Sequence, residues 1–231
     1  FVKQYQNNKD YHSQVTPTNG YMTFDLKRKT TGNVHVRRAI SQAINKKQLV
    51  ATVLHAGRPA NGIVASNFIT DKSTGNDYRK DAGDMVTYNV KNACKEWKIA
   101  LELLTSDIDD AKRVGEFIQS DLMRNLPGLT INGRSIPLKS RLSNTTNHNY
   151  DFVYGTWQPN YEDSLDFLTV GGLFNLEQDY RNRNFWHQID LVRSTYANDP
   201  KQRLQALINA ERQMIQKDAF AAPLYQAGVS Y

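Results

Sequence analysis

Apolar positions along the chain fall into two periods, and their order predicts the architecture. Ile99, Leu101 and Leu103 alternate as a strand does. Ala111, Val114, Phe117, Ile118, Leu122 and Leu126 then recur at helical spacing until Pro127-Gly128 ends the run, and Leu129 to Ile131 is apolar again. A strand, a helix and a strand in succession make a βαβ unit and predict an α/β domain. Ile136 to Leu142 reads as a further strand, Ser143 to Asn149 as a polar loop, and Tyr150 to Tyr154 as a strand packed on both faces.

Helical spacing also runs from Val34 to Leu54 through Val36, Ile40, Ala43, Ile44, Val50, Val53 and Leu54. Asn45, with Gln48 three residues on, interrupts it as a capping-box variant, so two consecutive helices are expected, stopped at Gly57. Towards the C-terminus, Phe185, Ile189, Val192 and Tyr196 form one stripe. Asp199-Pro200 then supplies a cap and first-turn proline for a helix bearing Leu204, Leu207, Ile208, Glu211, Met214 and Ile215. Residues 1–20 are polar and end in Thr16-Pro-Thr-Asn-Gly20, which reads as a lead-in segment, with order from Tyr21 and one domain over 21–231. Ala65 to Met85, rich in Ser, Thr, Asn, Asp and Gly, reads as a long surface excursion.

Composition changes this picture little. The chain has 231 residues, 39% hydrophobic and 23% charged, which suffices for a real core. A net charge of +6 invites a nucleic-acid reading, yet Lys27 to Lys29, Arg37-Arg38, Lys46-Lys47 and Arg181 to Arg183 fall on separate elements, mostly helix surfaces or turns. No nucleic-acid partner is expected; a diffuse positive field suits an anionic envelope. Cys94 is the one cysteine, which excludes an internal disulfide and points to packing in a short helix between Tyr88 and Trp97. Five histidines are scattered without ligand spacing, and neither a nucleophile elbow nor a phosphate-binding glycine loop occurs, so no cofactor, metal or catalytic residue is expected. The nearest approach to a catalytic pair is Glu162 with Asp166.

Candidate chemistry concentrates where the Tyr150–Tyr154 strand runs into Gly155-Thr-Trp157-Gln-Pro-Asn160-Tyr161-Glu-Asp-Ser-Leu-Asp-Phe-Leu168, an aromatic, carboxylate-rich loop with no evident packing motive. Gly155 permits close backbone approach, Pro159 stops a continuing sheet, and Trp157 offers a broad rigid face with one N–H donor. A half-buried core tryptophan is the alternative for Trp157, and a solvated acidic turn is the plain reading of Glu162, Asp163 and Asp166. Gly171-Gly172 reads as a turn or a flexing point, and Arg37 as a structural ion-pair partner.

This loop resembles the W-x-x-D-Y-x-D-P-x-x-F-L signature of the extracellular oligopeptide-binding proteins of ABC importers. Asn33-Val-His-Val-Arg37-Arg-Ala-Ile-Ser-Gln-Ala43-Ile-Asn45, Gly57-Arg-Pro-Ala-Asn-Gly62-Ile-Val64 and Tyr88-Asn-Val-Lys-Asn-Ala93-Cys-Lys-Glu-Trp97 resemble further motifs of that family, in the same order. The resemblance implies one α/β lobe of a bilobal, periplasmic-binding-protein-like fold, a mixed sheet flanked by helices, with the first lobe missing from this segment. It implies non-catalytic binding of an oligopeptide between two lobes and delivery to an ABC permease complex. A relative taking a peptide pheromone, a metal complex or another small solute is the alternative. By the same resemblance the ligand site comprises Leu138, Tyr154, Gly155, Thr156, Trp157, Gln158, Asn160 and Tyr161, with Leu138 and Tyr154 on strands leading into the loop. Asn160 stands where the family usually has an aspartate that pairs with the ligand ammonium; Glu162 or Asp163, the other lobe, or a ligand without a free amine would then account for the difference. The protein is expected on the extracellular face of the membrane, lipid-anchored through an N-terminus outside this segment.

Overall fold

The structure is a computed structural model that describes residues 9–93, 98–169 and 179–230. The expectations for Cys94, Trp97 and Gly171-Gly172 lie outside the described residues.

Strand β1 (Ser13–Phe24) begins well before Tyr21, inside the stretch expected as a lead-in. Pro17 does not prevent this, because the pairing shifts register across Thr16 to Thr18, where a missing N–H costs least. Helix α1 (Val34–Ala43) is capped by Asn33 and the short α2 (Lys46–Leu49) by Asn45, whose side chain accepts from the Gln48 N–H as the spacing predicted. A π-turn over Val50–Leu54 ends at His55 in the left-handed region, before Gly57. Gly57 lies at φ 87°, and a Cβ there would strike the Gln226 carbonyl, so glycine is required by β6 rather than by the helix end. The remaining elements are β2 (Arg58–Pro59), α3 (Tyr78–Ala82), α4 (Val90–Ala93), β3 (Ile99–Ser106), α5 (Asp109–Asn125), β4 (Leu129–Ile136), α6 (Leu138–Thr146), β5 (Phe152–Trp157), α7 (Ser164–Thr169), α8 (Arg183–Arg193), α9 (Pro200–Arg212), a second π-turn (Gln213–Lys217) and β6 (Ala221–Ser230).

Among the described residues the strands form one six-stranded sheet in the order β2-β6-β1-β5-β3-β4. β3 runs parallel to β4 and β5, whereas β1 is antiparallel to β5 and β6. Period-2 alternation sends Tyr21 into a core under α7, α8 and α9, and Met22 and Phe24 into a second core under α1 and α5. Helices therefore cover both faces of a mixed sheet, the fold class expected.

Four local expectations fail, each because a partner distant in sequence decides the outcome. Residues 138–146 are a helix and not a strand followed by a loop: Pro137 sits at its N-cap, and Arg141 and Thr145 turn inward from it. The excursion from Ala65 to Met85 is tied to the core by Tyr78, which is buried and donates to Glu211 at 3.2 Å. Glu211, itself buried, also accepts from the Ile63 and Val64 N–H groups at 2.7 and 3.2 Å and pairs with Arg79. Removing such a carboxylate strands a buried guanidinium, a loss of about 3–5 kcal/mol. Lys46 is buried too, donating to the Ala60 carbonyl at 2.9 Å, and burial lowers its pKa to about 7 although Asp84 opposes the shift. Arg37 is structural as expected, but its hydrogen bonds go to the carbonyls of Thr31, Gly32, Asp218 and Ala219 and not to a carboxylate.

Candidate functional site

The carboxyl ends of the parallel strands β3, β4 and β5 open onto one edge of the molecule, the place where an α/β sheet leaves a crevice. Backbone directions along β1 are set by two hydrogen bonds at its carboxyl end, beside the amino end of β5. Asp25 N–H donates to the Asp151 carbonyl at 2.9 Å, and Phe24 N–H to the Phe220 carbonyl at 3.3 Å. Odd-numbered residues at this end of β1 thus face β5 and even-numbered ones face β6. In the register Asn19↔Trp157, Gly20↔Thr156, Tyr21↔Gly155 and Met22↔Tyr154, Gly155 and Trp157 are spent on β1. Tyr154 and Thr156 turn their main-chain groups to the other side.

On that side β3 pairs with β5 only at Phe152 and Val153. Arg141, reaching from α6, donates to the Tyr154 carbonyl at 3.1 Å and closes the edge there. Among the described residues no strand lies beside Thr156, which is exposed. The Tyr154 side chain is buried and shares a 2.5 Å hydrogen bond with the Tyr225 hydroxyl; burial raises the pKa of both phenols. Tyr225 can lie there because Gly20 above it has no Cβ, which would overlap the ring. Tyr154 is therefore a core residue beneath the edge.

After Trp157 the chain is pinned by one carboxylate. Asp166 on α7, fully buried, accepts from Trp157 Nε1 at 3.1 Å, from the Asn160 N–H at 2.9 Å and from Asn160 Nδ2 at 3.3 Å. The solvated-turn reading fails for Asp166: its burial is invisible in a loop of like composition, and only the fold brings three donors to it. Asp163 is half-buried, accepting from the Leu165 N–H at 2.8 Å and pairing with Arg203 of α9 at 2.7 Å. Glu162 is exposed, so the acidic-turn reading suits it alone, and Glu162 with Asp166 forms no open pair. Asn160 donates its amide hydrogens to Asp166, which leaves Oδ1 as the acceptor it can offer. Trp157 is half-buried against the α7–α9 core, and Gln158 and Tyr161 are exposed. A cavity of about 600 Å³, lined by charged groups that include Lys72, Glu162, Asp163, Arg193 and Arg203, opens beside this loop.

Leu138 is the misplaced member of the expected set: it begins α6 and is not on a strand. It still borders the edge, since Arg141 one turn on touches Tyr154. Sequence reasoning missed Ile108, which follows β3 as Leu138 follows β4 and is 61% exposed. The signal was a bulky apolar residue at a helix cap, where a polar side chain is usual. Among the described residues no group of three or more His, Cys, Asp or Glu could hold a metal ion, and no helix is long and apolar enough to cross a membrane.

A mixed sheet clad on both faces by helices, with an aromatic loop at the carboxyl end of its parallel strands, is an architecture shared with known solute-binding proteins. Residues 1–172 match the family described as bacterial extracellular solute-binding proteins, family 5 Middle, and the chain belongs to that family. It is 32% identical to the OppA of Listeria monocytogenes solved bound to peptide, with a TM-score of 0.85 over 100% of this chain and 47% of that one. The substrate-binding domain of an oligopeptide ABC transporter from Bacillus anthracis is 26% identical, with a TM-score of 0.88 over 100% and 48% of the two chains. A dipeptide-binding protein of Lactococcus lactis subsp. cremoris is 29% identical over 168 residues, 68% of this chain and 30% of its own. The chain thus spans about half the length of these solved relatives, and less of the curated one.

Proposed function

We propose that this chain is the second lobe of an extracellular substrate-binding protein that holds oligopeptides between two lobes, without catalysis, and passes them to an ABC permease. The main chain of Thr156 carries this reading: an N–H and a C=O at an open strand edge recognise another main chain whatever its side chains. A metal complex or small solute would leave that edge unused. Trp157, Gln158 and Tyr161 wall the same edge, Gly155 lets the ligand approach, and Asn160 Oδ1 offers a neutral acceptor. The lobe is built from β1 onward, and the first lobe of the full-length protein closes over it by hinge motion. An extracellular site of action, with lipid anchoring through a segment outside this sequence, fits the family. The test is mass spectrometry of ligand retained by the full-length protein, with Thr156→Pro for comparison. Peptides of varied sequence should be released by the parent and lost from the variant, which lacks the Thr156 N–H. Retention of a single non-peptide solute by both would overturn the proposal.

A further inference from the structure

We infer that the peptides bound here are selected for a large apolar side chain beside the main-chain unit that pairs with Thr156, and that Ile108 and Leu138 form the seat for it. This rests on the peptide-binding reading and adds a substrate class to it. A strand added to β5 lies about 4.8 Å beyond it. Continuing the β3–β5 pairing from Leu103↔Phe152 and Leu104↔Val153 would bring Asp107 opposite Thr156. At that level β3 has ended and its chain has turned into α5, so an added strand passes over the start of α5 and its neighbour α6.

Those two starts carry Ile108 and Leu138. The last β3–β4 pair is Ser106↔Ile136, and the Asp107 N–H donates to the Ile136 carbonyl at 3.0 Å, so the two apolar residues leave the sheet side by side. They are 61% and 53% exposed, and Leu142, one turn along α6 from Leu138, is 44% exposed. Large apolar side chains left open together at the mouth of an unpaired strand edge are the mark of a contact surface. Continuity with the Thr156 edge names the occupant, a ligand side chain. Arg141 has its guanidinium on the Tyr154 carbonyl, which leaves the aliphatic residues to meet what enters.

The experiment is calorimetry on the full-length protein with two peptides of equal length and net charge, one bearing leucine at successive positions and the other serine. The apolar peptide should bind at least about tenfold tighter, the effect of burying one such side chain. In the Ile108→Ser/Leu138→Ser variant the preference should shrink to about twofold or less, chiefly through weaker binding of the apolar peptide. Both positions are exposed, so the variant should melt with the parent. Equal affinities in the parent would overturn the inference. So would a variant that loses both peptides alike, since the patch would then be meeting the other lobe. If neither peptide binds the parent, the peptide-binding reading beneath it falls as well.

Discussion

The two ends of β5 are built on opposite terms. At its amino end the carboxylate of Asp25, buried, accepts from the Lys27 N–H at 2.9 Å and from His148 Nδ1 at 3.1 Å, with Arg28 at 3.7 Å. Asp179, also buried, meets the other His148 nitrogen at 3.3 Å and Lys27 at 3.5 Å. Asp151 bridges to β3 by accepting from the Glu102 N–H at 2.7 Å. At the carboxyl end, main-chain groups and apolar side chains face outward instead. One sheet thus carries a closed end, where polar groups are tied to one another across the sequence, and an open end, where the described strands leave Thr156 without a neighbour. The lesson is that the open end is no unfinished packing: Asp166 and Arg141 hold the backbone on either side of Thr156, through the Asn160 N–H and the Tyr154 carbonyl.

Substitutions should separate the two ends by what they change. Asp25→Ala, at the closed end, removes the buried acceptor of the Lys27 N–H and one of the two carboxylates on His148, and should cost about 1–2 kcal/mol of stability, read by denaturant unfolding, with ligand affinity unchanged. A fall in affinity at constant stability would break the comparison. Trp157→Ala, at the open end, should lower peptide affinity by about 2 kcal/mol in calorimetry on the full-length protein. Part of the change must appear as lost stability, because Trp157 also donates to Asp166 and packs on the core. If unfolding captures the whole effect, Trp157 belongs to the core alone.

Lys46 lies at neither end and serves as a control. Its folded pKa, about 7, is below the ordinary lysine value, so the unfolded chain binds the proton more readily. Stability from this group therefore rises with pH between about 7 and 10, by up to about 1.4 kcal/mol per pH unit. Lys46→Met should flatten that rise and leave binding untouched, as denaturation at several pH values will show. The smallest effect sharpens the open end. Asn160→Asp replaces an amide that donates to Asp166 at 3.3 Å with a second carboxylate. Two such groups share a proton at a raised pKa, so the variant should be about 1 kcal/mol less stable than the parent at pH 7 and regain parity below about pH 4. Equal stability at both pH values would mean that the loop, and not Asp166, sets the Asn160 position.

Much of the fold was legible in the sequence because local periodicity and caps decide it. The β3–α5–β4 unit, the Asn45 cap between α1 and α2, and the Asp199-Pro200 start of α9, where Asp199 accepts from the Gln202 N–H at 3.0 Å, each depend on residues a few positions apart. The ordered motifs were enough to identify the family, and the loop after β5 stood out by its composition as the candidate site. What the sequence could not reveal were outcomes set by partners far along the chain. The stretch from Ile136 to Leu142, apolar at Ile136, Leu138 and Leu142, is as compatible with a strand as with a helix until Arg141 finds the Tyr154 carbonyl. Lys46, Glu211 and Asp166 look like surface charges until three or more polar groups converge on each from separate elements. The openness of Thr156 is likewise a property of the sheet: it follows from which neighbour β1 takes and where β3 stops, and hydrogen-bond direction along a strand has no trace in the side chains. Periodicity encodes which face is apolar; only tertiary pairing decides which main-chain groups remain free.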